Sequence, residues 1–242
     1  MLTKAQAKYI QNLGHKKLRE DENLFIAEGP KLVLELLQET SVALHSIYAI
    51  ESFAASHSHI KNIVEISQDD LNRISFLTTP NQVIALFQKP RFPKIPSLRG
   101  CVSLMLDTIQ DPGNLGSIVR TADWFGVGTI ICSKDTADIF NPKVVQATMG
   151  SIARVRMVYE NLGTFIQEND LPPLYVTALT GKSIHELKPL KEGIILIGNE
   201  SKGVSSHLLN HSHTLITIPK KGKAESLNAA IATGIVLSHL LT

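Results

Sequence analysis

The sequence is poor in the residue types that staple small folds or hold metals. Its 242 residues include two cysteines, Cys101 and Cys132, each inside an apolar run that reads as a strand, so buried reduced thiols are expected rather than a disulfide framework. The nine histidines are scattered, and the close pairs His57/His59 and His211/His213 have no cysteine or carboxylate cluster beside them, so no metal is expected. No apolar run approaches the roughly 18 residues of a membrane span. The N-terminal "MLTKAQAKYIQNLGHKK" has neither the apolar core nor the small-residue cleavage site of a secretory signal, and a cytoplasmic protein without a membrane partner is expected. Neither sign of charge dominates: a net charge of +2 is too mild to define a nucleic-acid partner alone. The G-x-x-x-x-G-K-[ST], G-x-G-x-x-G and G-x-S-x-G patterns are all missing, which excludes recognition centred on a polyphosphate and a serine-elbow hydrolase.

What is present is an ordinary globular composition, 43% hydrophobic and 19% charged, long enough for one large domain or two small ones. In "KPRFPKIPSLRG" three prolines preclude a helix, so the boundary is placed there: a domain over 1–92, a linker over 93–99 and a domain over 100–242. Before the boundary, "GPKLVLELLQE" reads as a helix with Pro30 in its first turn and Leu32, Val33, Leu36 and Leu37 as its buried stripe. Short strands around 47–50, 63–66 and 83–87 make this half a small mixed α/β unit. After it, the apolar runs "CVSLMLD", "GTIIC", "ARVRMV", "PLYVTAL", "GIILIG" and "TLITIP" alternate with helical patterns, which predicts a parallel sheet flanked by helices.

In such sheets ligands bind beyond the carboxyl ends of strands, so polar residues there are the candidates. In "DPGNLGSIVRTADWFGV", Leu115, Ile118, Val119, Ala122 and Phe125 share one helical face and Arg120 projects away from it, either solvated or facing a substrate; Asn114 reads most simply as an N-cap. In "LIGNESKGVS" the strand stops at Gly198, and Glu200 follows as either a capping acid or a group able to fix an amide, a hydroxyl or an arginine. In "IPKKGKAESLNAAIATGI" the polar exceptions are Ser226, a possible cap, and Asn228, which needs a partner of its own if buried. The small residues of the final helix permit deep packing or a subunit contact. At the other end of the chain Lys4, Lys8, Lys16, Lys17 and Arg19 precede the first acid, Glu20, as a phosphate-binding surface or a solvated helix face.

Three of these segments resemble, in order and spacing, the SpoU (TrmH-like) branch of the SPOUT superfamily, RNA methyltransferases that modify ribose 2'-hydroxyls. Its N-x-G-x-x-x-R pattern is met by Asn114, Gly116 and Arg120, its G-x-E-x-x-G pattern by Gly198, Glu200 and Gly203, and its proline-led S-L-N segment by "IPKKGKAESLN". "NLFIAEGPKLVLELL" is similar to the substrate-binding domain often fused to this branch, with a departure at Pro80, Asn81, Gln82, Val83 from the usual proline-glutamine-glycine-valine. The resemblance implies a C-terminal trefoil-knotted, mostly parallel α/β sheet with helices on both faces, plus a small N-terminal α/β RNA substrate-binding domain. It implies a homodimer through the C-terminal domain, S-adenosylmethionine held by Leu179, Gly198, Ile218 and Leu227, and catalysis by Arg120, Asn114, Glu200, Ser226 and Asn228. Structured RNA, ribosomal or transfer, would be met by Lys16, Lys17 and Arg19. A non-catalytic RNA-binding protein on the same fold and a base-directed methyltransferase are the alternatives.

Overall fold

The structure, a computed structural model, describes residues 2–92 and 97–242; residues 93–96 of the expected linker lie outside the described residues. Two compact units are present, Met1–Phe92 with Asp138–Ala153, and Pro93–Ala137 with Arg154–Thr242. The segment Asp138–Ala153, which the sequence reading keeps in the C-terminal half, is thus grouped with the first unit.

The first unit is built on β1 (Leu24–Glu28), β2 (Ala43–Ala49), β3 (Ile63–Glu65) and β4 (Val83–Gln88) in the order β1-β4-β2-β3, antiparallel except for the β2/β3 pair. Helices α1 (Lys4–Asn12), α2 (Lys16–Asp21), α3 (Pro30–Leu37), α4 (Glu51–Ser56) and α5 (Gln68–Ile74) complete its N-terminal part. Strand alternation divides the apolar residues: Leu24, Ile26, Ile84 and Leu86 bury with Ile10, Leu13, Leu71 and Ile74, while Phe25 stacks on Phe87 at 5.8 Å and meets Phe140 at 5.6 Å. Helix starts follow local chemistry, as where the Thr3 and Gln6 side chains form a reciprocal capping box on α1 and Pro30 opens α3.

The second unit is an all-parallel sheet of β5 (Val102–Leu106), β6 (Thr129–Ser133), β7 (Arg156–Glu160), β8 (Leu174–Ser183), β9 (Gly193–Ile197) and β10 (Thr214–Thr217), in the order β10-β8-β9-β5-β6-β7. Its connections include α6 (Pro112–Trp124), α8 (Leu162–Glu168) and α9 (Ser206–Leu209), with α10 (Ala229–Leu241) last; α7 (Pro142–Thr148), between β6 and β7, belongs to the first unit. Met105, Ile131, Leu174, Val176, Ile194 and Leu196 form one buried layer with Leu162 and Leu208 of α8 and α9. The alternate residues Leu104, Leu106, Ile130, Cys132 and Ile195 point to the opposite face and are equally buried, and α6 packs against α10. From β5 the chain moves outward through β6 and β7 and then resumes on the other side of β5, so strand order reverses between β5 and β9. That reversal is the switch point at which open α/β sheets bind ligands.

Cys132 is buried in β6, where burial pushes its thiol pKa up, but Cys101 is exposed, because β5 begins only at Val102. Both are free thiols, so the expectation of two buried ones is corrected for Cys101. Among the described residues no helix is long and apolar enough to cross a membrane, and no group of three or more His, Cys, Asp or Glu is placed to hold a metal ion.

Candidate active site

The loops leaving β5 and β9 meet at the switch point and are tied together by their own side chains. Asp107, buried at the end of β5, donates its N–H to Ile197 O at 2.9 Å and accepts the Ser205 N–H on Oδ2 at 2.8 Å. Asn199 donates to Thr108 O at 3.0 Å while its Oδ1 accepts the N–H groups of Ser201 and Lys202, at 2.9 and 3.1 Å. Gly198 is required by a close approach within the chain: a Cβ there would lie 2.4 Å from the Gly203 carbonyl carbon and the Val204 nitrogen. These contacts fold the 198–205 loop back on itself and fix Glu200. Asp107 and Asn199 are site residues that no motif in the sequence marks. The asparagine-led turn of "NES" was a local signal for the second; the partner of the first lies 98 residues away.

Asn114 does not cap its helix. The N-cap of α6 is Asp111, whose Oδ1 accepts the Asn114 N–H at 2.7 Å, and this leaves the Asn114 amide free. Its Nδ2 donates to Glu200 Oε1, and its Oδ1 accepts from Asn228 Nδ2 at 2.8 Å. Asn228 is in turn the N-cap of α10, its Oδ1 accepting the N–H groups of Ala230 and Ile231 at 2.9 and 3.2 Å. The direction of the whole relay follows from its ends. Helix N–H groups demand an oxygen from Asn228, which turns its NH2 toward Asn114; the carboxylate of Glu200 accepts only, so Asn114 must show it the NH2. Two helix N-termini, those of α6 and α10, flank this relay, and their partial positive charge favours an anion beside it. Glu200 Oε2 makes no hydrogen bond among the described residues and stays available to a hydroxyl.

The adjacent carboxyl edge of β10, β8 and β9 carries Ile218, Leu179 and Gly198. Opposite the Leu215/Ile216 junction of β10, residues 177–181 of β8 swell out of register, and the bulge is pinned where Thr217 Oγ1 donates to Leu179 O at 3.2 Å. Leu179 is 76% exposed and Leu227 43% exposed, two apolar side chains held in the open next to backbone polar groups. Apolar walls beside main-chain polar groups are the surroundings in which a flat heteroaromatic ring is bound.

Five further expected site residues make no hydrogen bond to the relay. Ser226 is exposed, caps nothing and makes no hydrogen bond among the described residues. Arg120 is exposed and likewise without a hydrogen-bond or ion-pair partner among the described residues. Six residues beyond Asn114, it lies about 9 Å along α6 and about 120° around it. Arg19 requires a correction. Expected on a phosphate-facing surface, it is 2% exposed, with its guanidinium donating to Leu13 O, Gly14 O and Asp138 Oδ2 at 2.8, 2.7 and 2.6 Å. Its guanidinium is enclosed inside the first unit, with Nε buried and without a partner among the described residues, so it is not part of an exposed basic surface. Lys16, paired with Glu20 at 3.7 Å, and Lys17 are exposed.

A family model described as the SpoU rRNA Methylase family matches residues 101–238, and one described as the MRM3-like substrate binding domain matches residues 4–85. The 23S rRNA (guanosine(2553)-2'-O)-methyltransferase RlmP of Bacillus subtilis is 32% identical over 234 residues, covering 95% of this chain and 93% of that protein. Among solved structures, an AdoMet-bound rRNA methyltransferase from Sinorhizobium meliloti has a TM-score of 0.85 at 33% identity, with 99% and 95% of the two chains covered. A TrmH-family chain from Porphyromonas gingivalis has a TM-score of 0.84 at 36% identity, with 99% and 98% covered. The amide relay at the switch point is therefore carried by a chain that belongs to the SpoU rRNA Methylase family.

Proposed function

We propose that this chain is a cytoplasmic RNA 2'-O-ribose methyltransferase that takes its methyl group from S-adenosylmethionine and acts on 23S ribosomal RNA as a homodimer. The observation that carries the reading is the Asn228–Asn114–Glu200 relay at the switch point of a parallel sheet in a chain of this family. The exposed Leu179 and Leu227, with Ile218 and the main chain at Gly198, are the cofactor's holders. When bound, S-adenosylmethionine supplies an electrophilic methyl whose carbon–sulfur bond breaks as the bond to the ribose oxygen forms. The protein's own part is alignment and charge. Glu200 accepts a ribose hydroxyl on its free oxygen, the asparagines keep that carboxylate in place, and Arg120 stabilises the oxyanion and a neighbouring phosphate while the proton leaves to water. A guanidinium is a poor base, because it stays protonated in proteins.

Two structural features support the rest of the reading. Trp124, 84% exposed, lies four residues beyond Arg120 on α6, and Ile231 and Ile235 of the adjoining α10 are 57% and 38% exposed. An apolar face of this kind is covered by a second copy in the homodimer, which puts Arg120 at the subunit boundary. The Leu190 N–H donates to Leu240 O at 2.7 Å, and Asn228 reaches back to Asn114, contacts that tie the last helix to earlier loops and support the knotted reading of the family resemblance.

The test is transfer of labelled methyl from S-adenosylmethionine to total RNA, followed by mapping of alkali-resistant linkages. Label is expected in one resistant linkage of 23S ribosomal RNA. Label in transfer RNA would move the substrate, label in alkali-labile nucleotides would replace ribose by base chemistry, and no label would leave an RNA-binding protein. Arg120→Ala is expected to lower kcat by at least about a hundredfold with cofactor affinity changed little, the behaviour of a group that acts on the transition state.

A further inference from the structure

Residues 218–228 join β10 to α10, and every one from 219 to 228 is exposed. Among the described residues none of 218–227 forms a hydrogen bond, so the segment is held at its ends, by β10 and by the Asn228 cap, rather than by contacts of its own. It carries Lys220, Lys221 and Lys223, and the neighbouring loop after β9 carries Lys202. None of the four side chains is in an ion pair or hydrogen bond among the described residues. One solvent-facing acid, Glu225, accompanies them; Glu200 is engaged by Asn114. The lysines are also near the chemistry by chain length alone, since Leu227 is four positions beyond Lys223 and an extended chain of that length reaches at most about 14 Å. Of the N-terminal cations, Arg19 is buried and Lys16 pairs with Glu20, while Lys4, Lys8 and Lys17 are exposed.

We infer that Lys220, Lys221 and Lys223, assisted by Lys202, hold the phosphate backbone of the RNA at the rim of the methyl-transfer site. The inference rests on the RNA methyltransferase reading above and adds the part of the chain that grips the substrate. Ammonium groups on long flexible stems neutralise phosphates without reading sequence, so they set affinity and salt dependence while the relay places the ribose.

The test compares the full-length wild type, a triple Lys→Gln variant at positions 220, 221 and 223, and the corresponding triple Lys→Arg variant. Affinity for transcribed 23S ribosomal RNA is measured over a salt series, cofactor affinity by calorimetry, and transfer rate against RNA concentration. The glutamine variant is expected to raise the RNA Kd and KM at least about tenfold and to flatten the slope of log Kd against log salt by about 2, each lost phosphate contact contributing somewhat under one unit. Its cofactor Kd should stay within about twofold, which also reports an intact fold, and the arginine variant should recover RNA binding. An unchanged RNA Kd and slope would overturn the inference; so would a selective loss of cofactor affinity, which would assign the lysines to the cofactor's carboxylate. Absence of methyl transfer by the wild type is a separate failure, that of the enzymatic reading, because RNA binding is scored without turnover.

Discussion

A side-chain amide has two nearly identical faces, and its sense is imposed by whatever stands at either side. Asn114 lies between a group that only accepts, Glu200, and one whose free end only donates, Asn228. Asn114→Asp replaces the donor facing Glu200 with a second carboxylate, and like charges at that distance cannot both remain ionised without cost. Transfer is expected to fall by at least about a hundredfold. Adding Glu200→Gln restores an acceptor–donor pair with its sense reversed, since the glutamine offers an NH2 to the new carboxylate, whose other oxygen still accepts from Asn228. The double variant should therefore exceed the poorer single variant by about tenfold or more in single-turnover transfer, a coupling of the size that contacting residues show. Simple additivity of the two losses would mean that the relay is not a unit. That Asn114, Glu200 and Asn228 are polar residues following strands was visible in the sequence; that they touch was not, because 86 and 114 residues separate Asn114 from its partners. Arg19 marks the same limit from the other side. Its neighbours in sequence are charged and it reads as a surface cation, yet its carboxylate partner is 119 residues away.

At the scale of elements, apolar runs were the legible part. Each of the six runs of the C-terminal half is a strand, and their branched residues suit a sheet covered on both faces. Caps were less legible, since several polar residues compete within one turn and only the backbone decides. Asn114 and Ser226 read as caps, whereas the structure uses Asp111 and Asn228. The double role of Asn228 allows its two jobs to be separated. Asn228→Asp keeps the oxygen that accepts from Ala230 and Ile231 but loses the NH2 that donates to Asn114, so thermal stability should hold within about 0.5 kcal/mol while transfer falls sharply. Asn228→Ala loses both, with an added stability loss of about 1 kcal/mol, typical of a missing cap. Wild-type transfer by Asn228→Asp would show that the Asn228–Asn114 bond carries nothing, and equal stability of the two variants would show that the cap does not. A turn departure is also explained at this scale: Gln82, where the resembling domain has glycine, has φ of 58°, and its carbonyl accepts the Ile50 N–H at 2.9 Å. The left-handed turn is kept there without the glycine that would adopt it freely.

The whole molecule is where composition and periodicity say least. Period-3.6 patterns identify a buried face, but they do not announce that a second face will be left apolar, and α10 is apolar nearly all round because it both packs on α6 and presents Ile231 and Ile235 outward. Nor does a linear reading separate Asp138–Ala153 from the strands that bracket it. A homodimer formed through the exposed face has a consequence that no single subunit shows. Arg120 has no partner in its own subunit among the described residues, sits on the Trp124 side of α6, and is turned about 120° from Asn114. In the proposed dimer Arg120 is therefore expected to serve the partner's relay across the boundary. Mixing inactive Arg120→Ala subunits with inactive Asn114→Ala subunits, after dissociation and reassociation, tests this directly. A mixed dimer would hold one site with an intact relay and an intact arginine and one site lacking both. Random reassortment puts half the subunits in mixed dimers, and about a quarter of wild-type transfer should return, as two-fold symmetry with one competent site in each mixed dimer requires. If each arginine served its own subunit, every site in every combination would lack one group, and no activity would return. Introducing Trp124→Glu into both variants should abolish the recovery by weakening association about a hundredfold, the usual effect of removing an aromatic anchor worth about 2 kcal/mol or more. Its sedimentation should also fall from about twice the 26.5 kDa chain mass toward that of one chain.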